Sequence, residues 1–232
     1  MAGNQEQGHL GFMVPRADFK PEQFDILVQQ KGYKAIWEKG MFCPCYALES
    51  GQPDYSCSEC GGKGYVYFDP QEIRVLVTSI SGRKEQEHIG LNELGTAYMT
   101  PTSKDQVGFR DRFTFPDFRM KFSQLVTNVG TTDTMRYNVK EMIAVRSKTT
   151  VFKVGVDYRI VGDRGLEWIY PAVSEGQQYS VLYMTTPVYI AINPIHELRG
   201  TYTMYKERGN EVFVELPKQF QIKREDFIDD QP

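Results

Sequence analysis

No apolar run in this 232-residue chain approaches the roughly 20 residues that a membrane-spanning helix needs, so a soluble protein is expected. Histidine is scarce, with only His9, His88 and His196, and proton chemistry would also need a partner base or metal in place beside one of them. His196 follows Asn193-Pro194-Ile195 and precedes Glu197 and Arg199, which reads as a histidine hydrogen-bonded at a strand boundary. The chain has no G-x-S-x-G elbow, Walker loop, H-E-x-x-H pair or dinucleotide fingerprint. No catalytic residue is therefore expected, and the chain reads as a non-enzyme. There is also no excess of positive charge. Residues 1–68 carry 6 Lys/Arg against 8 Asp/Glu, and residues 69–232 carry 21 against 22, for a net charge of −3. A dedicated duplex-DNA binder usually shows a basic face, and composition supplies none.

The four cysteines are confined to one short segment: Cys43-Pro44-Cys45, then Cys57-Ser58-Glu59-Cys60 followed by Gly61-Gly62-Lys63-Gly64. Four sulfurs close a tetrahedral metal shell with no position left for water. Glycines after Cys60 permit tight turns whose amides point at thiolates. Gly61, Gly62 and Gly64 precede a strand rather than a helix, so they do not form a phosphate loop. The expected reading is one structural zinc per chain, held by Cys43, Cys45, Cys57 and Cys60. Two others stand beside it. A disulfide pair would need an oxidising compartment, and no signal-peptide pattern accompanies the cysteines. An iron–sulfur or redox site can use the same four thiolates. The single residue between Cys43 and Cys45 is tighter than the usual spacing, although Pro44 pre-sets one backbone angle there.

Hydrophobic residues make up 41% of the chain and aromatics 13%, enough for a sizeable core. Residues 1–20 are polar and lack periodicity, and read as a flexible N-terminal arm. Pro21 opens the one expected helix, with Asp18 and Glu22 near its positive end. Ile26, Tyr33, Ile36 and Trp37 fall on one helical face, interrupted by Gly32, where the helix can break. From Phe68 onward the pattern has period two. Strands are expected at 73–78, 95–100, 112–115, 120–126, 135–145, 149–154 and 157–161. More follow at 167–170, 178–184, 188–192, 199–205, 211–215 and 219–223. Segment 81–94 reads as a loop or short helix. Short strands without helical crossovers imply a mainly β fold, an antiparallel barrel or sandwich. The expected organisation is an arm (1–20), a helix plus four-cysteine knuckle (21–68), an antiparallel β body (69–224) and a solvated acidic tail (225–232).

Residues 110–122, from Arg110 to Phe122, interleave cations with aromatics. That is the pattern of a single-strand nucleic-acid groove, but equally of a half-exposed strand or a strand meeting another subunit. Asp111 and Asp117 offset the cations.

The order of motifs over roughly residues 35–228 resembles virion neck proteins of tailed bacteriophages, the collar or head-to-tail connector class. It is carried by the CPC/CSEC knuckle ahead of Gly64-Tyr65 and the Tyr-x-Val-x-Tyr strand. His196-Glu197-Leu198-Arg199, and Leu216-Pro217 before the last strand, complete it. The resemblance implies a structural virion protein assembled in the host cytoplasm as a homo-oligomeric ring between portal and tail. Its partners would be its own copies and neighbouring virion proteins (portal or adaptor, tail terminator, tube or sheath), with passing contact to genomic DNA and none to membrane. It brings no catalytic residues. A zinc-ribbon nucleic-acid-binding protein is the alternative.

Overall fold

The computed structural model describes residues 21–47, 51–79, 95–195, 198–204 and 211–229. The arm, segment 81–94 and all three histidines lie outside them.

Helix α1 (Pro21–Lys31) starts on a proline whose missing N–H costs nothing in the first turn, with Glu22 and Lys31 matched to the helix dipole. Its last bond runs from Gly32 N to Val28 O at 2.7 Å, and the chain then turns into β1 (Tyr33–Phe42). A side chain at Gly32 would meet Val28 O at 2.4 Å and the Val75 backbone at 3.1 Å, so only glycine lets the chain pass this close. The expected helical face is therefore corrected. Tyr33, Ile36 and Trp37 belong to a strand, and in the helix Val28 is fully buried while Ile26 is exposed. Asp25 ties the helix down by accepting from the Ser103 amide and hydroxyl at 2.8 and 2.5 Å.

The elements that follow, up to a short helix at the C-terminal end of the described residues, are antiparallel strands, as the period-two pattern predicts. After β1 come β2 (Tyr65–Ser79), β3 (Thr96–Thr100), β4 (Arg112–Thr114), β5 (Met120–Thr127), β6 (Thr132–Thr134), β7 (Glu141–Arg146) and β8 (Val151–Phe152). Then follow β9 (Tyr158–Val161), β10 (Gly165–Trp168), β11 (Gln178–Thr185), β12 (Val188–Pro194), β13 (Gly200–Met204), β14 (Glu211–Glu215) and β15 (Phe220–Arg224). Strands β1, β2, β3, β15, β12 and β4 hydrogen-bond in a closed ring. The ring encloses a core of Trp37, Val75, Met99, Phe113, Phe220 and Ile222. The boundary expected at residue 69 falls inside β2, so the cysteine segment is not a separate unit. It is the tip of the β1–β2 hairpin.

Between β4 and β12 the chain leaves the barrel to build a sandwich. One sheet has the order β5-β11-β7-β8 and the other β6-β10-β9. They share a second core of Phe122, Tyr158, Leu166, Trp168, Tyr179 and Tyr183. Because β4 and β12 pair with each other, Val188 opposite Thr114, the insertion leaves and re-enters at neighbouring staves. The expected strand at 135–145 is cut down to β7. Met135 and Tyr137 are buried in the core in non-strand conformation, where their apolar character had suggested β structure.

Both tryptophans end on a buried carboxylate. Trp37 donates its indole N–H to Asp111 at 2.7 Å in the barrel, and Trp168 donates to Asp133 at 3.1 Å in the sandwich. The acidic end is also corrected. Glu225 and Asp226 are buried rather than solvated, and Asp226 opens the short helix α2 (Asp226–Asp229). Glu225 is paired with Lys63 at 2.9 Å, and Asp226 takes a two-pronged bond from Arg224 at 2.6 and 2.7 Å. No helix among the described residues is long and apolar enough to cross a membrane.

Candidate metal centre

The β1–β2 hairpin runs past the barrel and delivers both cysteine pairs to one place. Cys43 N donates to Gly64 O at 2.8 Å, which closes the base of the tip. Above it Tyr46 and Pro53 form a bridge, and the Asp54 amide bonds Cys45 O at 3.3 Å. Asp54 starts the turn into the second pair by accepting from the Ser56 amide and hydroxyl at 2.8 and 2.7 Å. This turn explains the depressed pKa of the Asp54 carboxyl. The second pair folds as a tight turn, with Gly61 N to Cys57 O at 2.9 Å and Lys63 N to Cys60 O at 3.2 Å.

These turns gather the sulfurs. All four Sγ atoms lie within 4.8 Å of one another. Between the pairs, Cys43 lies 3.7 Å from Cys57 and Cys45 lies 3.5 Å from Cys60. A tetrahedral ion with bonds of about 2.3 Å to sulfur would set its ligands about 3.8 Å apart, so the arrangement fits one four-coordinate metal ion. It does not fit a disulfide, whose sulfurs stand about 2.0 Å apart, and all four cysteines are free.

Backbone amides reinforce the sulfurs. Burial works to raise the Cys60 pKa, but the Gly64 amide and the thiols of Cys45, Cys57 and Cys43 outweigh it and hold the group at about 7. Burial pushes Cys45 up to about 12, against an opposing bond from the Asp54 amide. A bound cation would draw the thiol protons off and be held by the resulting thiolates.

Gly64 shapes the tip. Its φ is +78°, and a Cβ there would stand 2.4 Å from the Tyr46 hydroxyl and 2.8 Å from its ring. Gly64→Ala is expected to weaken metal binding by about tenfold or more, because it tilts the amide that bonds Cys60. Competition with a chromogenic chelator measures this. An unchanged affinity would show that the Gly64 amide does not support the ligand.

Two features were not visible in the sequence. Lys63, within the glycine run, anchors the tip to buried Glu225 across 162 residues of chain. Tyr46, Phe42, Tyr65, Arg110 and Phe109 form a continuous row beside the tip: Phe42 lies 5.5 Å from Tyr46 and 4.9 Å from Tyr65, and Arg110 lies 4.9 Å from Tyr65 and 5.5 Å from Phe109. By contrast, the alternation at 110–122 is divided between β4 of the barrel and the start of β5 in the sandwich, with a turn at 116–117 between them. Phe113, Phe115 and Phe122 point into the cores, and Arg112 is fully engaged by Glu38 at 2.8 Å and by the Tyr67 ring at 4.1 Å.

No protein-family model matches the chain, and no curated protein matches it.

Proposed function

We propose that this chain is a structural protein of the neck of a tailed bacteriophage, a ring-forming subunit of the head-to-tail connector or collar, with one structural zinc per chain. The observation that carries the reading is the set of projections on the barrel. The cysteine tip, the sandwich and the β13–β14 hairpin each leave from a different inter-strand connection. A rigid barrel with several outward modules can engage two neighbours and the layers above and below at once, as a ring subunit must. The motif order supports the same class. Four thiolates around one ion leave no open coordination position, which suits a rigidifying role and not catalysis. The tip has little apolar core of its own, with Tyr55 almost fully exposed, so a metal clip is what would give it a fixed shape. Three of the four aromatics of 112–122, Phe113, Phe115 and Phe122, are buried, which leaves Phe118 alone on that segment as a stacking surface for a nucleic-acid groove.

Negative-stain imaging with native mass measurement of the purified chain tests the ring directly. Rings of uniform size support it, whereas a monomer that binds DNA with steep salt dependence would favour the zinc-ribbon alternative. Elemental analysis tests the ion, with about one zinc per chain expected. Iron would show as visible absorbance.

Deleting residues 1–20 is expected to leave metal content and thermal unfolding unchanged while weakening association between subunits. The ground is the lack of any apolar period in that arm. Unfolding of the truncated chain would make the arm part of the core, and normal assembly would remove it from the contacts.

A further inference from the structure

Among the described residues, strands β13 and β14 pair only with each other. Among the described residues no other element packs closely against them. Their root is fixed, because Leu216 N bonds Arg199 O at 3.0 Å and the Arg199 guanidinium bonds Pro217 O at 3.2 Å. Tyr202 and Phe213 face each other across the hairpin with rings 5.3 Å apart, and more than half of each remains exposed. A lone two-stranded hairpin is marginally stable in water, and an exposed aromatic pair adds to the cost. Such an element gains stability when its open backbone edge is completed by another strand.

The same chain carries an edge of matching kind. Strand β5 is eight residues long and, among the described residues, pairs on one side only, with β11. Its outward row is Lys121, Ser123, Leu125 and Thr127, and Leu125 is 68% exposed. Charge is complementary as well. From Phe118 to Thr132 there is no acidic residue, while Arg119 and Lys121 are cationic. Strand β14 reads Glu211-Val212-Phe213-Val214-Glu215, with only acidic charges. Glu215 is held only loosely, by Lys218 at 3.8 Å. Within one chain the hairpin and β5 belong to different insertions of the barrel, and they do not pair.

We infer that the β13–β14 hairpin of one subunit docks on the β5 edge of a second copy of this chain, extending the four-stranded sheet of its neighbour. The contact joins two different patches, so it is head-to-tail and propagates around a ring. It rests on the ring reading above and names the surface that the ring would use.

Two variants separate the halves of the contact. In the first, residues 200–215 are replaced by a Gly-Asn turn, which the adjoining Arg199 and Leu216 can accept. In the second, Leu125→Asp places a charge on the exposed β5 row, with Ser123→Asp as a second edge variant should the first fail to fold. Retained metal content and thermal unfolding show that each variant folds. Each alone is expected to fall from the oligomer to a monomer in native mass, the point variant near the parent chain's 26.7 kDa and the shortened variant below it. Mixed together they should form a one-to-one dimer and nothing larger, because only one intact hairpin meets one intact edge. Either variant keeping the parent mass, or a mixture that stays monomeric, overturns this contact while leaving the ring standing. A parent chain that is monomeric even at millimolar concentration overturns both.

Discussion

Cys60→Ala is expected to abolish stoichiometric metal binding and to unfold the hairpin tip while leaving barrel and sandwich intact. With one sulfur gone, three thiolates and an exposed fourth position remain, and a site built to exclude water becomes open to it. The loss is large because little else holds the tip. The rest of the tip is held by short-range backbone bonds, among them Cys43–Gly64, Ala47–Gln52, Gly51–Ala47, Gly61–Cys57 and Lys63–Cys60, by the Tyr46–Pro53 bridge and by the Asp54 turn. In comparable small zinc domains metal binding supplies about 10–16 kcal/mol of apparent folding free energy. The two aromatic cores are separate from the sulfurs and should keep their own unfolding transitions. Elemental analysis should fall from about one metal per chain to almost none, and limited proteolysis should begin to cut between Cys45 and Gly62. Acid should mimic the substitution in the parent protein. Protons compete with the ion for thiolate, so affinity falls as pH falls and recovers on neutralisation. A variant that keeps both its metal and its protease resistance would show that the cysteines are packing residues.

The cysteine cluster was legible because its chemistry is local: four ligands in one segment, turns between them, and glycine where an amide must approach sulfur. Most strands were legible for a related reason, since burial alternates along them, as in β11, where Tyr179, Val181 and Tyr183 face inward. The failures occurred where tertiary context overrides local pattern. Residues 33, 35 and 37 lie at period two, but the small Ala35 hides the alternation. The helical spacing of Ile26, Tyr33, Ile36 and Trp37 then prevails across a glycine that ends the helix. At the other end of the chain, an acidic run looks solvated until Lys63 and Arg224 are brought against it. That pairing depends on where the barrel closes. The two cores were hidden for the same reason: periodicity identifies strands but not which insertion each one joins.

Asp111→Ala is expected to be the most damaging single change in the barrel, and it exploits a residue whose sequence setting suggested only a surface charge among arginines. Its carboxylate is buried and accepts three bonds, from the Trp37 indole at 2.7 Å, the Gly40 amide at 2.9 Å and the Gly108 amide at 2.7 Å. These donors come from β1 and from the loop before β4, so one side chain fastens the root of the metal-bearing hairpin to the barrel wall. The fit is close. A Cβ on Gly40 would sit 2.4 Å from Arg110 O, and Arg110 itself holds a left-handed φ of +68° to bring Asp111 into place. Removing the carboxylate strands three donors away from water and leaves a void. Bonds to a charged acceptor contribute about 1.5–3 kcal/mol each, and breaking such a buried arrangement costs about 3–5 kcal/mol in total. Asp111→Asn keeps the volume but turns an amide donor toward donors already present, so it should recover only part of the loss. Asp117→Ala, at an exposed position six residues on, should stay within about 0.5 kcal/mol of the parent. Calorimetry of the three variants makes the comparison, with a drop of roughly 10 °C expected for the Asp111→Ala barrel transition. The sandwich transition, secured by Asp133 on Trp168, Tyr179 and the Val129 amide, should move far less. If Asp111→Ala melts no earlier than Asp117→Ala, the hairpin root is held by strand pairing alone, and the carboxylate does not fasten it.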